Sequence, residues 1–247
     1  KAIPGTIKQS DSSRLGVENI LFDLPALRSG FSKKPDTMER WEAVVTKNSV
    51  LLKGALRSQG HSQEQVDALD LTPYSDLPRS SNSPAETNLC KIPSPLKEWL
   101  IDDNLKYIRN HETRGHMETD LLRYGFCSAY AQLNEGVSPK SRDFPEELAP
   151  AHKNWKTGTH ADRFRVQSAN KQATTVTSHI SKDGHYFIHY DAKQCRSLTV
   201  REAARLQTFP DNYLFEGNRT QQYVQVGNAV PPFLAQQIGR VVLNILF

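Results

Sequence analysis

Apolar residues fall at helical spacing along several stretches of the chain. Met38, Trp41, Val44, Val45, Leu52 and Leu56 predict a helix near Asp36 to Ser58. Ser62 with Gln65 three residues on predicts a capped short helix through Leu69. Leu96 to Ile101, just after Pro95, predicts another short helix. Met117, Leu121, Leu122, Phe126 and Tyr130 mark a helix that ends before Gly136. Val230, Leu234, Ile238, Val241, Val242 and Ile245 line one face of a last helix, entered through Pro231 and Pro232. The β-branched run Ala173 to Ser178 and the segment His185 to Tyr190 predict two strands of a hairpin, turning at Lys182-Asp183-Gly184. Thr199 and Glu202 form a capping-box pair in front of a helix through Leu206, which stops near Phe209-Pro210-Asp211.

Between these elements the pattern breaks. Pro73, Pro78, Pro84, Pro93 and Pro95 punctuate a surface loop or linker at 72–95. Residues 1–35 predict loop around one apolar stretch, Val17 to Phe22. The chain has 247 residues, enough for one large domain or two small ones. A start at Lys1 rather than Met is what a piece of a longer chain, or a trimmed one, would show.

Composition changes the picture little. The chain is 37% hydrophobic and 23% charged, with a net charge of +4 and a pI near 8.9. That mild basicity is compatible with a polyanion but does not demand one. Cys90, Cys127 and Cys195 are too sparse for a disulfide framework and include no CxxC pair. No apolar run reaches membrane-spanning length, and no signal-peptide core opens the chain. Reduced thiols inside a cell are the expectation.

Two segments carry specific information. Arg196-Ser197-Leu198-Thr199-Val200-Arg201-Glu202-Ala203-Ala204-Arg205-Leu206-Gln207-Thr208-Phe209-Pro210-Asp211 resembles the ninth of ten ordered sequence blocks in DNA cytosine-C5 methyltransferases. Gln225-Val226-Gly227-Asn228-Ala229-Val230-Pro231-Pro232 resembles the tenth. They stand in the family's order and separation. The resemblance is strong from about Asn104 to the end and weaker toward the start, where Gly16 to Pro25 resembles the connector after the eighth block.

The family's chemistry sets what is missing. Its members add a Cys thiolate to cytosine C6 while a carboxylic acid protonates N3; C5 then takes the methyl group of S-adenosylmethionine, on a base flipped out of the duplex. The sequence contains no Pro-Cys dipeptide, no Glu-Asn-Val block and no FxGxG loop. Cys195 matches no catalytic position, and Glu18-Asn19-Ile20 lies in the wrong order to be the acid block. No catalytic residue is expected in this chain, which is expected to be inactive alone.

The resemblance implies three jobs. The first is DNA reading in the major groove. The hairpin is the expected reading element, with Ser178, His179, Ser181, Lys182 and Asp183 at or near its tip. By position, Thr175 with Val176 resembles the family's Thr-Leu pair, whose Thr restrains the backbone of the flipped nucleotide. Arg163, Arg165 and Lys171 are candidate phosphate contacts. The second job is structural support: Arg201, Glu202 and Arg205 hold recognition loops through the ninth-block helix. The third is completion of the S-adenosylmethionine pocket by Asn228 and Ala229, at the start of the last helix, where a helix N-terminus faces a carboxylate. A plain helix-capping role for Asn228 is compatible with this. His111 with His116, or His185 with His189, lack a third ligand, so no metal is expected. Tyr186, Phe187 and Tyr190 are candidates for base stacking or for packing.

The fold expected is α+β. Residues 1–35 would connect from a missing catalytic domain, 36–195 form an irregular target-recognition region, and 196–247 return to a Rossmann-like α/β domain absent from the chain. Expected partners are double-stranded DNA and a catalytic methyltransferase domain, in cis or in trans, with no membrane. The expected location is the cytoplasm, associated with a bacterial nucleoid. Three readings stand side by side: part of one continuous methyltransferase, a separate recognition subunit, or a non-catalytic DNA-binding relic. Whether a restriction–modification system is involved is open at this level.

Overall fold

A computed structural model describes residues 14–86, 90–151, 155 and 162–246. Residues 1–13 of the expected connector lie outside them. The element order is α1 (Val17–Leu21), β1 (Gly30–Phe31), α2 (Met38–Ser58), α3 (Gln63–Asp67), α4 (Leu96–Leu100), β2 (Gly115–His116), α5 (Glu118–Leu133), a 3-10 turn (Ser178–Ser181), α6 (Val200–Leu206), α7 (Arg219–Asn228) and α8 (Pro232–Leu246). β1 and β2 form a short parallel pair, Gly30 opposite Gly115 and Phe31 opposite His116. The chain is thus mixed α and β, dominated by helix.

Local chemistry explains the helix starts. The Thr37 hydroxyl accepts from the Arg40 N–H and opens α2. Ser62 and Gln65 satisfy each other's backbone N–H ahead of α3, and Thr199 and Glu202 do the same ahead of α6. The buried stripe of α2 runs through Trp41, Val44, Val45, Leu52 and Leu56. The Trp41 indole, fully buried, donates to Ser29 Oγ at 3.0 Å.

Among the described residues three apolar cores form: the smallest gathers Phe31, Trp41, Val44, Val45, Leu121 and Cys195, and the other two both draw on the segment His185 to Leu198. The first of these two gathers Val17, Ile20 and Leu21 of α1 with Leu100, Val176, Phe187, Ala203, Phe209, Tyr223 and Val226. The other joins Leu52, Leu56, Tyr124, Phe126, Phe144, Phe164, Val166 and Ile188. Phe187 and Ile188 therefore point into different cores. The apolar stretch expected at Val17 to Phe22 forms the short helix α1, packed against α6 in the first core.

The expected hairpin is not formed. Residues Gln172 to Thr177 have no regular structure, and the tip is a 3-10 turn. Ile188 pairs instead with Val166 on one side and Ser197 on the other. The reason is the buried Gln167 side chain, which sits where the ladder would run. Its amide accepts from the Thr174 N–H at 3.0 Å and donates to the Tyr186 carbonyl at 3.0 Å. The last helix begins where the entry through Pro231 and Pro232 places it, but Asn228 does not stand at its start. Asn228 ends α7, an unanticipated helix capped by Asn218, and α8 starts at Pro232.

Candidate nucleic-acid interface

Alternation along 175–180 sorts the segment into two faces. Val176 and Ile180 are buried in the first core, while Thr175, Thr177 and His179 are exposed. Those outward residues line one open cleft of about 540 Å³ with Arg165, Thr174, Tyr186 and Phe187. Tyr186 forms its aromatic wall. The Arg165 guanidinium carbon lies 5.5 Å from that ring's centroid, and His179 meets the ring edge-on at 5.4 Å. Arg165 also pairs with Asp162 at 2.8 Å. The cleft thus offers a cation, three threonine hydroxyls, an imidazole and the phenol ring of Tyr186. Of the expected contacts, Arg165, Thr175 and His179 come together here. Ser178 and Lys182 do not line the cleft: Ser178 lies with its backbone against Gly227 of α7, and the exposed Lys182 lies at the end of the 3-10 turn.

Gly227 is the reason α7 can approach so closely. A Cβ built there would overlap the Ser178 nitrogen and the Thr177 carbonyl carbon, both backbone atoms. The end of α7 is therefore in direct contact with the start of the 3-10 turn Ser178–Ser181. Gln207 adds a second tie. Its side-chain amide nitrogen lies 3.4 Å from the Val176 carbonyl, 3.4 Å from that of Val226 and 3.1 Å from that of Ala229. Gln207 carried no expected role, although it stands within the ninth block; nothing in its spacing shows that its side chain faces three carbonyls.

Asn228 is exposed, and its side chain makes no hydrogen bond among the described residues. Its place at the end of α7, with Ala229 as C-cap, excludes the expected position at a helix start. The first available N–H of α8, on Phe233, is taken by the Thr208 hydroxyl at 3.1 Å. Asn228 thus presents a polar side chain outward at the end of α7.

Behind the cleft stands α6, whose charged side chains are buried. Arg201 donates to the carbonyls of Arg109 at 3.0 Å, Pro210 at 3.2 Å and Tyr213 at 2.6 Å. Burial lowers its guanidinium to about 10. Arg205 grips Asp211 through two bonds of 2.9 and 2.6 Å and reaches Asp23 at 2.5 Å. Burial alone would weaken the charge of Arg205, but the two carboxylates hold it firmly protonated. Glu202 accepts two bonds from Arg196, at 2.7 and 2.6 Å. Burial opposes ionisation of Glu202, and Arg196 overcomes it, so the carboxyl stays well below the usual range.

The four histidines considered as metal ligands hydrogen-bond within the protein. His111 lies 3.0 Å from the Thr199 hydroxyl and 2.8 Å from the Pro25 carbonyl. His116 lies 3.1 Å from Ser197 Oγ. His185 lies 2.7 Å from the Tyr124 hydroxyl, and His189 accepts from the Asp191 N–H at 3.1 Å. Burial pushes His111 and His189 down to about 4. It pushes the Cys195 thiol up to about 12 and Cys127 well above its ordinary value, so neither is a thiolate near neutral pH. Cys195 donates to the Ala192 carbonyl at 3.2 Å.

The family model for C-5 cytosine-specific DNA methylase matches residues 75–244. A type II methyltransferase of Bacillus paralicheniformis is 47% identical over 62% of this chain and 33% of its own length. One from Haemophilus parahaemolyticus is 38% identical over 56% of the chain and 32% of its own length. DNA (cytosine-5)-methyltransferase 1 of Rattus norvegicus is 31% identical over 90% of the chain and 14% of its own length. This chain belongs to the C-5 cytosine-specific DNA methylase family. It spans about a third of the length of the bacterial relatives it matches. Among the described residues, no helix is long and apolar enough to cross a membrane.

Proposed function

We propose that this chain is the DNA-reading portion of a DNA (cytosine-5-)-methyltransferase, which methylates cytosine C5 within a specific duplex sequence. The single observation that carries the proposal is that Arg165, Thr175 and His179 line one cleft, while Gly227, one residue from the proposed cofactor contact Asn228, touches the backbone of the same turn. Arg165 suits a phosphate, and the Thr175 hydroxyl suits the backbone of the displaced nucleotide. His179 and Lys182 are placed to meet base edges or phosphates. Asn228 and Ala229 supply one edge of the S-adenosylmethionine site, and the cofactor when bound supplies the methyl group. Arg201, Glu202 and Arg205 hold the reading segments in place.

The thiolate and acid come from elsewhere, because the sequence holds no Pro-Cys dipeptide and no Glu-Asn-Val block, and the buried thiols of Cys127 and Cys195 stay protonated. The apolar face of α8, with Ile238, Val242 and Ile245 exposed, seats against that catalytic domain. The test is tritiated methyl transfer from S-adenosylmethionine to DNA, by the chain alone and with a catalytic portion added in trans. Transfer only on mixing is expected. Transfer by the chain alone would refute the assignment of the nucleophile, and none in either arm would favour a DNA-binding relic.

A further inference from the structure

Arg114 lies outside the ninth and tenth blocks and far in sequence from the reading turn, yet its guanidinium reaches the turn's tip. Nη2 donates to the Ile180 carbonyl at 2.7 Å and Nη1 to the Lys182 carbonyl at 3.2 Å. These are the carbonyls at the end of the 3-10 turn Ser178–Ser181, where no further helical turn supplies donors. The same guanidinium lies over the Tyr223 ring of α7, 4.3 Å from its centroid. Tyr223 is itself fixed, because its hydroxyl donates to the Leu198 carbonyl at 2.6 Å. The backbone of Arg114 is anchored too, its carbonyl accepting from the Gly30 N–H at 3.1 Å. The next residues confirm how closely the tip is shaped. Gly184 has a φ of +81°, and an added Cβ there would meet Ser197 at 2.7 Å.

We infer that Arg114 is a specificity-determining positioning residue: it fixes the shape of the turn that carries His179 and Lys182, and so determines which base pairs that turn accepts. The inference rests on the reading of this turn as the DNA-reading element. A planar fork bonded to two carbonyls and stacked on a ring needs arginine. Lysine keeps the charge but cannot hold both carbonyls and the stack together.

The test uses the complete methyltransferase containing this chain. A library of randomised duplexes is methylated and sequenced to give the preference at each base pair, for wild type, Arg114→Lys, Arg114→Gln and Tyr223→Phe. Discrimination is expected to fall about tenfold at one or two base pairs in both Arg114 variants, with kcat on the preferred site little changed. Tyr223→Phe keeps the ring but removes its tie to the Leu198 carbonyl, and should shift the profile less than either Arg114 variant. The salt dependence of DNA affinity should be unchanged in Arg114→Gln; a slope reduced by about one would make Arg114 a phosphate contact and overturn the inference. An unchanged preference profile would also overturn it. Amide hydrogen exchange across 180–184 gives a readout that needs no methylation. Faster exchange in Arg114→Lys is expected, and unchanged exchange defeats the inference even if the wild-type enzyme methylates normally. Wild-type enzyme that methylates nothing would defeat the proposed function instead, leaving the exchange result to judge Arg114.

Discussion

Helices α6 and α8 invert the usual relation between polarity and burial. α6 carries Arg201, Glu202 and Arg205, all at most 1% exposed. α8 is apolar, yet Val230 just before it is 61% exposed, and Ile238, Val242 and Ile245 within it are 43%, 46% and 58% exposed. The difference lies in where the partners are. Every charge on α6 finds its counter-charge or carbonyls within this chain, so burial is tolerated. The apolar face of α8 finds no partner among the described residues. One helix is a finished interior, and the other is half of an interface, which we propose the catalytic domain completes.

The comparison breaks most severely at Arg205. Arg205→Ala would leave Asp23 buried without its cation and Asp211 with only Arg201, at 4.0 Å, and denaturant unfolding should show a loss of about 3–5 kcal/mol. Arg205→Lys should lose less, and an equal loss would mean that packing rather than charge is at stake. Gly227→Ala comes next. The Cβ has only backbone to push against, so a loss of about 1–3 kcal/mol is expected, together with weaker DNA binding in a fluorescence titration. An unperturbed variant would show that the 3-10 turn gives way without consequence.

The buried imidazoles around α6 set a pH dependence. His111 and His189 hold folded values near 4, below their ordinary 6.5, because burial disfavours the cation. The unfolded chain therefore binds more protons between those limits. The associated stability is complete above about pH 6.5 and is lost as pH falls toward 4, by roughly 1 kcal/mol per pH unit for each histidine. Urea midpoints measured across that window should fall accordingly, and a flat profile would place these rings in contact with solvent. The smallest expected effect is on α8. Ile238→Glu should change the chain's own stability by no more than about 0.5 kcal/mol. It should nevertheless abolish methyl transfer on mixing with a catalytic portion; full transfer by this variant would remove α8 from the interface.

Much of the helical framework is legible in residue order. The stripe Trp41 to Leu56, the Ser62–Gln65 pair and the Thr199–Glu202 pair encode α2, α3 and the start of α6 through interactions within a few residues. The family resemblance is legible for the same reason, since its blocks are contiguous. The hairpin reading failed at Gln167, whose side chain holds both Thr174 and Tyr186 from seven and nineteen residues away. Alternation correctly separates Val176 from Thr175 and Thr177, but it does not say what each face meets.

By itself, then, the sequence determined α2, α3, α5 and α6 with the caps of α3 and α6, the family, and the absence of a Pro-Cys nucleophile. Only the tertiary structure decided that Asn228 ends a helix, that Gly227 must be small against Thr177 and Ser178, and that Arg114 holds the Ile180 and Lys182 carbonyls. Caps and amphipathic stripes are energies of neighbours three or four residues apart, written in residue order. The close approach at Gly227 and the grip of Arg114 join segments tens of residues apart, and their geometry exists only once the apolar cores have brought those segments together.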